Sequence, residues 1–366
     1  MISVVRARPA IRLIFTLVFG PVSACTLVVD PGHYGEGANE ASPALLLGGE
    51  RASSQPTATA DTLLAKATGE GLPLGWSPQL ALPQAGIWHG HASAKQVVAF
   101  WYDRMGSVLA NASWNGKTLG PWTKQPGPLV PVEQLEAGLA LTEGAIFLVG
   151  STQGPGDDDK SKVSIARRNN GAYGEFEAAP VRLINGRFRP TLLVCQGHLL
   201  VLGGEGNHLG DPVPVEHFDF AKLTNQNTGV AQFAAGPSFA MDGRPHRVSN
   251  AAAVCAFGSV YVLGGLSPTV NETTDVVLSA AFTAEGRAGP WRPQTRLPSP
   301  LRQAAAFVSG RRLVVAGGRS GPNAPANTKV ISSQIGADGS LSPWVTETAA
   351  ALPDGWVNAR AVPLSN

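Results

Sequence analysis

The sequence predicts an all-β ring of six four-stranded units. Three observations carry this: a glycine-ended apolar strand recurs about every fifty residues, an aromatic residue keeps step with it, and no stretch sustains a helical period. The strand marker appears at Ala44 to Glu50, Ala145 to Ser151, Leu199 to Glu205, Val260 to Leu266 and Leu313 to Arg319. A degenerate copy runs from Val97 to Asp103, with Trp101 and Tyr102 where the glycines would stand. Aligned on the second glycine, the copies fall at Gly49, Tyr102, Gly150, Gly204, Gly265 and Gly318, in steps of 53, 48, 54, 61 and 53. Downstream of each comes an aromatic: Trp76, Trp122, Phe176, Phe233, Trp291 and Trp344.

The last complete unit shows the four strands in order. Ala304 to Val308 is an inner strand of small residues, and Leu313 to Ala316 a second strand ending at Gly317 and Gly318. Lys329 to Ile335 alternates as a third strand, Gly336 to Gly339 signals a hairpin, and Trp344 to Thr348 is the outer strand. Small residues suit strands crowded around an axis. Aromatics suit outer strands, which have room between neighbours. Paired glycines mark a sharp turn or a close backbone approach, and closing the ring protects edges that an open sheet exposes.

This combination resembles the kelch repeat, in which each unit is a propeller blade; the likeness spans residues 41–366. The resemblance implies a six-bladed kelch-like β-propeller, with seven blades as the alternative count. The pattern departs from the usual kelch repeat in lacking a regular tyrosine before the tryptophan. The tail from Val357 reads as an inner strand with no glycine strand after it, and the first glycine strand has no inner strand before it. Joining the two completes a blade and closes the ring.

The first residues read as an address. Arg6, Arg8 and Arg12 precede the apolar run Leu13 to Gly20, and Val22-Ser23-Ala24-Cys25 follows. A basic segment, a short apolar stretch and small residues form a secretory signal, and the run is too short to span a bilayer. The last four residues also resemble a bacterial lipobox, which implies lipidation of Cys25; ordinary cleavage after Ala24 is the alternative. The expected organisation is a signal peptide at 1–24, a lipid-anchor tether at 25–40 that could instead add an edge strand, and the propeller at 41–366. The expected location is the cell envelope, at the outer membrane, or otherwise periplasmic or secreted. Net charge is +2 over 366 residues with no basic run, which argues against a nucleic-acid surface.

No P-loop, dinucleotide fingerprint, HExxH or GxSxG motif is present, so no catalytic residue, cofactor or metal is expected. His89 and His91 could share one face of a strand, but no third ligand lies nearby in sequence; Asp157, Asp158 and Asp159 read as an exposed acidic loop. Cys195 and Cys255 occupy matching places in adjacent units. Buried free thiols are the expectation there, a disulfide the alternative. Arg187, Arg247, Arg302 and Arg319 stand just before inner strands or just after glycine strands, and Glu205, His208 and Asp211 lie on a connection of the same class. In a kelch-like ring these connections gather on one face around the channel mouth. Arginines there suit carboxylates, in acidic sugars or acidic peptides; the competing reading is that some only brace the blades.

The expected function is a non-catalytic protein- or glycan-binding module at the envelope, tied to the membrane through Cys25. One alternative is a sugar-acting enzyme such as a sialic-acid mutarotase, which the kelch resemblance includes. Another is a purely structural envelope protein. A copper oxidase of the galactose oxidase type is disfavoured, because Tyr34, Tyr102, Tyr173 and Tyr261 are the only tyrosines and form no credible set.

Overall fold

A computed structural model describes residues 26–27, 43–51, 57–67, 73–93, 95–103, 105–151, 160–208, 211–225, 227–241, 244–245, 248–267, 272–321, 323–358 and 360–364. It is all-β, with six antiparallel four-stranded blades arranged as a propeller. The inner strands are His89–Ala92 (blade 2), Gly138–Leu141 (blade 3), Thr191–Cys195 (blade 4), Ala252–Ala256 (blade 5) and Ala305–Ser309 (blade 6). Blade 1 closes as expected: its inner strand is the C-terminal Arg360–Pro363, antiparallel to Ala44–Leu47.

The diglycine has a specific task. Gly264 and Gly265 hold φ of +60° and +97°, a left-handed geometry that side chains resist. The amide of Gly265 donates across the seam to the carbonyl of Leu301, at 2.8 Å. A Cβ on Gly264 would sit 2.1 Å from that same oxygen. The pattern repeats where Gly49 donates to Gly86, Gly204 to Val248 and Gly318 to Trp356; in blade 3 the donor is Ser151, to Arg187. Each glycine pair thus brings one blade's backbone into hydrogen-bond range of the next.

The outer aromatics stitch the other end of the seams. The indole N–H of Trp76 donates to the carbonyl of Ala350, Trp122 to Leu80, Trp291 to Pro237 and Trp344 to Thr295, each reaching the preceding blade at 2.7–3.1 Å. Phe176 packs edge-on against Phe100 of blade 2 instead. Between these stitches the blade faces bury continuous apolar clusters.

Cys195 and Cys255 form a disulfide between the inner strands of blades 4 and 5, which corrects the expectation of free thiols. Neighbouring inner strands approach closely enough at matched register, with Cα atoms 5.7 Å apart, to bring the two sulfurs into bonding range. The six inner strands contact one another in sequence around the axis. Thr26–Leu27 lies among them: it pairs in parallel with Ala253 and Val254 and touches the inner strands of blades 4, 6 and 1. The rest of the 25–40 segment, Cys25 included, and the signal segment lie outside the described residues. Among the described residues no helix is long and apolar enough to cross a membrane.

Candidate functional site

Strand direction alternates within each blade, so the connections from second to third strand and from one blade to the next share one face. At its centre, the residue two places before each inner strand takes a left-handed conformation in four successive blades: Arg189, Asn250, Gln303 and Asn358, with φ between +51° and +56°. Asparagine and its relatives tolerate this geometry better than most side chains. Their backbones link the blades around the mouth: Asn358 N–H donates to Gln303 at 3.0 Å, Gln303 to Asn250 at 3.3 Å, and Arg189 to Glu136 at 2.8 Å.

One residue earlier, each connection meets the residue that follows the second glycine of its own blade. Phe188 bridges Glu205, Ser249 bridges Leu266, and Arg302 bridges Arg319; in blade 1, Val357 pairs with Glu50. A polar arc results on blades 4, 5, 6 and 1. Ser249 donates its hydroxyl to Glu205 of the preceding blade at 2.7 Å, and the Asn250 amide donates to Ser249 at 2.9 Å. Arg302 and Arg319 stand side by side, and Arg319 reaches Glu50 across the next seam at 3.6 Å. The amide oxygens of Asn250, Gln303 and Asn358 are buried along this arc without hydrogen-bond partners.

Arg302 is the outstanding charge. It is half-buried, it makes no ion pair among the described residues, and its Nε has no hydrogen-bond partner. Burial first, and then the adjacent Arg319 charge, hold its guanidinium below the usual arginine range. A cation desolvated beside a like charge gains by receiving an anion.

The sequence candidates divide. Arg302, Arg319 and Glu205 join the arc. Arg187 is fully buried: it pairs with the equally buried Asp219 at 2.8 Å and donates to the carbonyls of Asn185, Val201, Gly203 and His217. It braces the seam between blades 3 and 4, the competing reading given above, and has no surface to offer a ligand. His208 ends the strand Glu205–His208, opposite Asp211. Arg247 and Asp157, Asp158 and Asp159 lie outside the described residues. Glu50, Ser249, Asn250, Gln303 and Asn358 were not anticipated. Aligning the units on their inner strands exposes them, as the residue after the glycine pair and the two residues ahead of the alanine-rich run.

His89 and His91 are both buried on the inner strand of blade 2, and no third histidine, cysteine or carboxylate gathers with them among the described residues. Burial, aided by the charge of Arg168, pushes His91 down to about 3, and neither of its ring nitrogens has a hydrogen-bond partner.

No family model matches the chain, and no curated protein matches it. Among solved structures it is similar to that of YjhT, at a TM-score of 0.54 and 16% identity, over 74% of this chain and 85% of that one. At that identity the likeness concerns the fold.

Proposed function

We propose that this chain is an exported, kelch-type binding propeller that captures a carboxylate-bearing ligand on its loop face and is held at the envelope through Cys25. The observation that carries the reading is the Arg302–Arg319 pair, two adjacent guanidiniums of which one has no carboxylate beside it. The Cys195–Cys255 disulfide favours an oxidising compartment, which agrees with export.

Calorimetric titration with N-acetylneuraminic acid, a hexuronic acid and acidic peptides tests the binding function. Saturable binding that weakens about tenfold or more in Arg302→Gln is expected, the loss of one charge-assisted bond. Binding that is indifferent to Arg302 would remove the arc from the site. The anchor is tested by intact-mass analysis of protein expressed with its own signal, beside Cys25→Ser. Acyl mass lost in the variant supports it, and an unmodified soluble chain counts against it.

A second reading, a mutarotase, gains from one observation: Glu205, an acid–base group, shares the arc with the arginines. Mutarotation of sialic acid above the background rate, abolished by Glu205→Gln, would favour it.

A further inference from the structure

Beside the arginine pair, the seam between blades 5 and 6 opens into a crevice of about 90 Å³. Its floor is one register row of blade 6, Val315, Ile331 and Thr346, which are successive cross-strand partners. Ser299 and Leu301, from the connection entering blade 6, form the facing wall, and Lys329 stands on the rim. Leu301 immediately precedes Arg302, and Gly317, at the inner end, lies two residues before Arg319. The crevice therefore runs radially to the backbone that carries the two guanidiniums.

Size and chemistry limit what fits. A cavity of about 150 Å³ takes benzene, so this one takes a smaller, branched aliphatic group. Leu301, Val315 and Ile331 offer no hydrogen-bonding side chain, so a hydroxyl pressed against them would lose its water partners without replacement. The apolar centre of the floor thus favours an aliphatic group over the hydroxylated edge of a sugar, with Thr346, Ser299 and Asn327 as the polar groups around it. Charge is complementary to an acid: Lys329 is exposed and, like Arg302, makes no ion pair among the described residues.

We infer that the loop face binds an acidic peptide, with a valine- or leucine-sized side chain in the blade 5–6 crevice and a neighbouring carboxylate on Arg302. This rests on the carboxylate-binding reading above and narrows its ligand from any acid to a peptide. Arg302 supplies affinity for the charge, and the crevice supplies preference for the adjacent side chain.

The test is titration of the mature protein with acetyl-Asp-Leu-Asp-amide, acetyl-Asp-Ser-Asp-amide and N-acetylneuraminic acid. The leucine peptide should bind at least about tenfold more tightly than the serine peptide, as expected for burying an aliphatic side chain. Ser299→Trp, at an exposed position, should block the crevice and erase that preference without changing the urea midpoint. Lys329→Glu should weaken both peptides. Equal binding of the two peptides, a preference that survives Ser299→Trp, or tighter binding of the sugar acid would overturn the crevice inference. If Arg302→Gln still weakens those ligands, the carboxylate-binding reading stands. No binding of any probe would overturn both.

Discussion

Blade 6 and blade 2 solve the same seam problem in opposite ways. In blade 6 the second strand ends at Gly317 and Gly318, the Gly318 amide bonds to Trp356 across the seam, and a long connection follows that carries Arg319 and Lys329. In blade 2 the strand Gln96–Asp103 runs on through Trp101 and Tyr102 and turns at once into Gly106–Ser113. The Asp103 carboxylate holds that turn by accepting from Met105 and Gly106. Tyr102 stays in the ladder opposite Ser107, and the seam to blade 3 relies on side chains: Phe100 against Phe176, and Arg168 donating to Gln96. The glycine pair both ties the seam and frees the chain to form a loop. Blade 2 has neither feature, and it takes no part in the polar arc, which runs over blades 4, 5, 6 and 1.

The largest expected effect is at the seam between blades 3 and 4, where a buried ion pair, Arg187 with Asp219, adds to the backbone bond from Ser151. Arg187→Ala leaves Asp219 buried and unpaired, and should cost about 3–5 kcal/mol in urea unfolding. A loss below about 1 kcal/mol would mean that the brace is dispensable. The disulfide closes a loop with sequence separation 60, worth about 4 kcal/mol at most by chain entropy. Cys195→Ala with Cys255→Ala should lower the unfolding midpoint accordingly, and an unchanged midpoint would show that the blade 4–5 seam holds without it. Gly264→Ala forces a Cβ into the carbonyl of Leu301 and should cost about 2–3 kcal/mol. Tyr102→Ala should not produce that backbone clash; a native-like position for Gly264→Ala by thermal melting would break the contrast between the two kinds of seam.

The last effect depends on pH and concerns the side-chain seam. His91 in the folded protein is pushed down to about 3, below its unfolded value of 6.5, so the unfolded chain binds more protons between those values. Stability should therefore fall as pH drops below about 6.5, by at most about 1.4 kcal/mol per pH unit, and flatten near pH 3. His91→Leu should lose that acid limb. If the limb survives in the variant, its origin lies elsewhere in the molecule.

The strand order, the six blades, the C-terminal closure and the aromatic outer stitches were legible because each is a local pattern repeated at one period. Repetition turns a weak signal at Gly317 or Trp344 into a strong one. The indole bonds of Trp76, Trp122, Trp291 and Trp344 were foreseen only as packing, since their carbonyl acceptors lie on another blade. The site was legible in part: Arg302, Arg319 and Glu205 were marked by their place after a glycine pair or before an inner strand. Arg187 has the same local surroundings and a different fate, because Asp219, more than thirty residues away, neutralises it in the interior.

By itself, then, the sequence determined the repeat and hence the ring, because hydrophobic period and turn glycines act over a few residues. The tertiary structure alone decided which arginine is buried in a brace and which stands half-buried at the channel mouth, that Cys195 meets Cys255, and that Asn250, Gln303 and Asn358 close around one mouth. These depend on neighbours brought together when the blades pack, and no local pattern carries the identity of a residue fifty positions away.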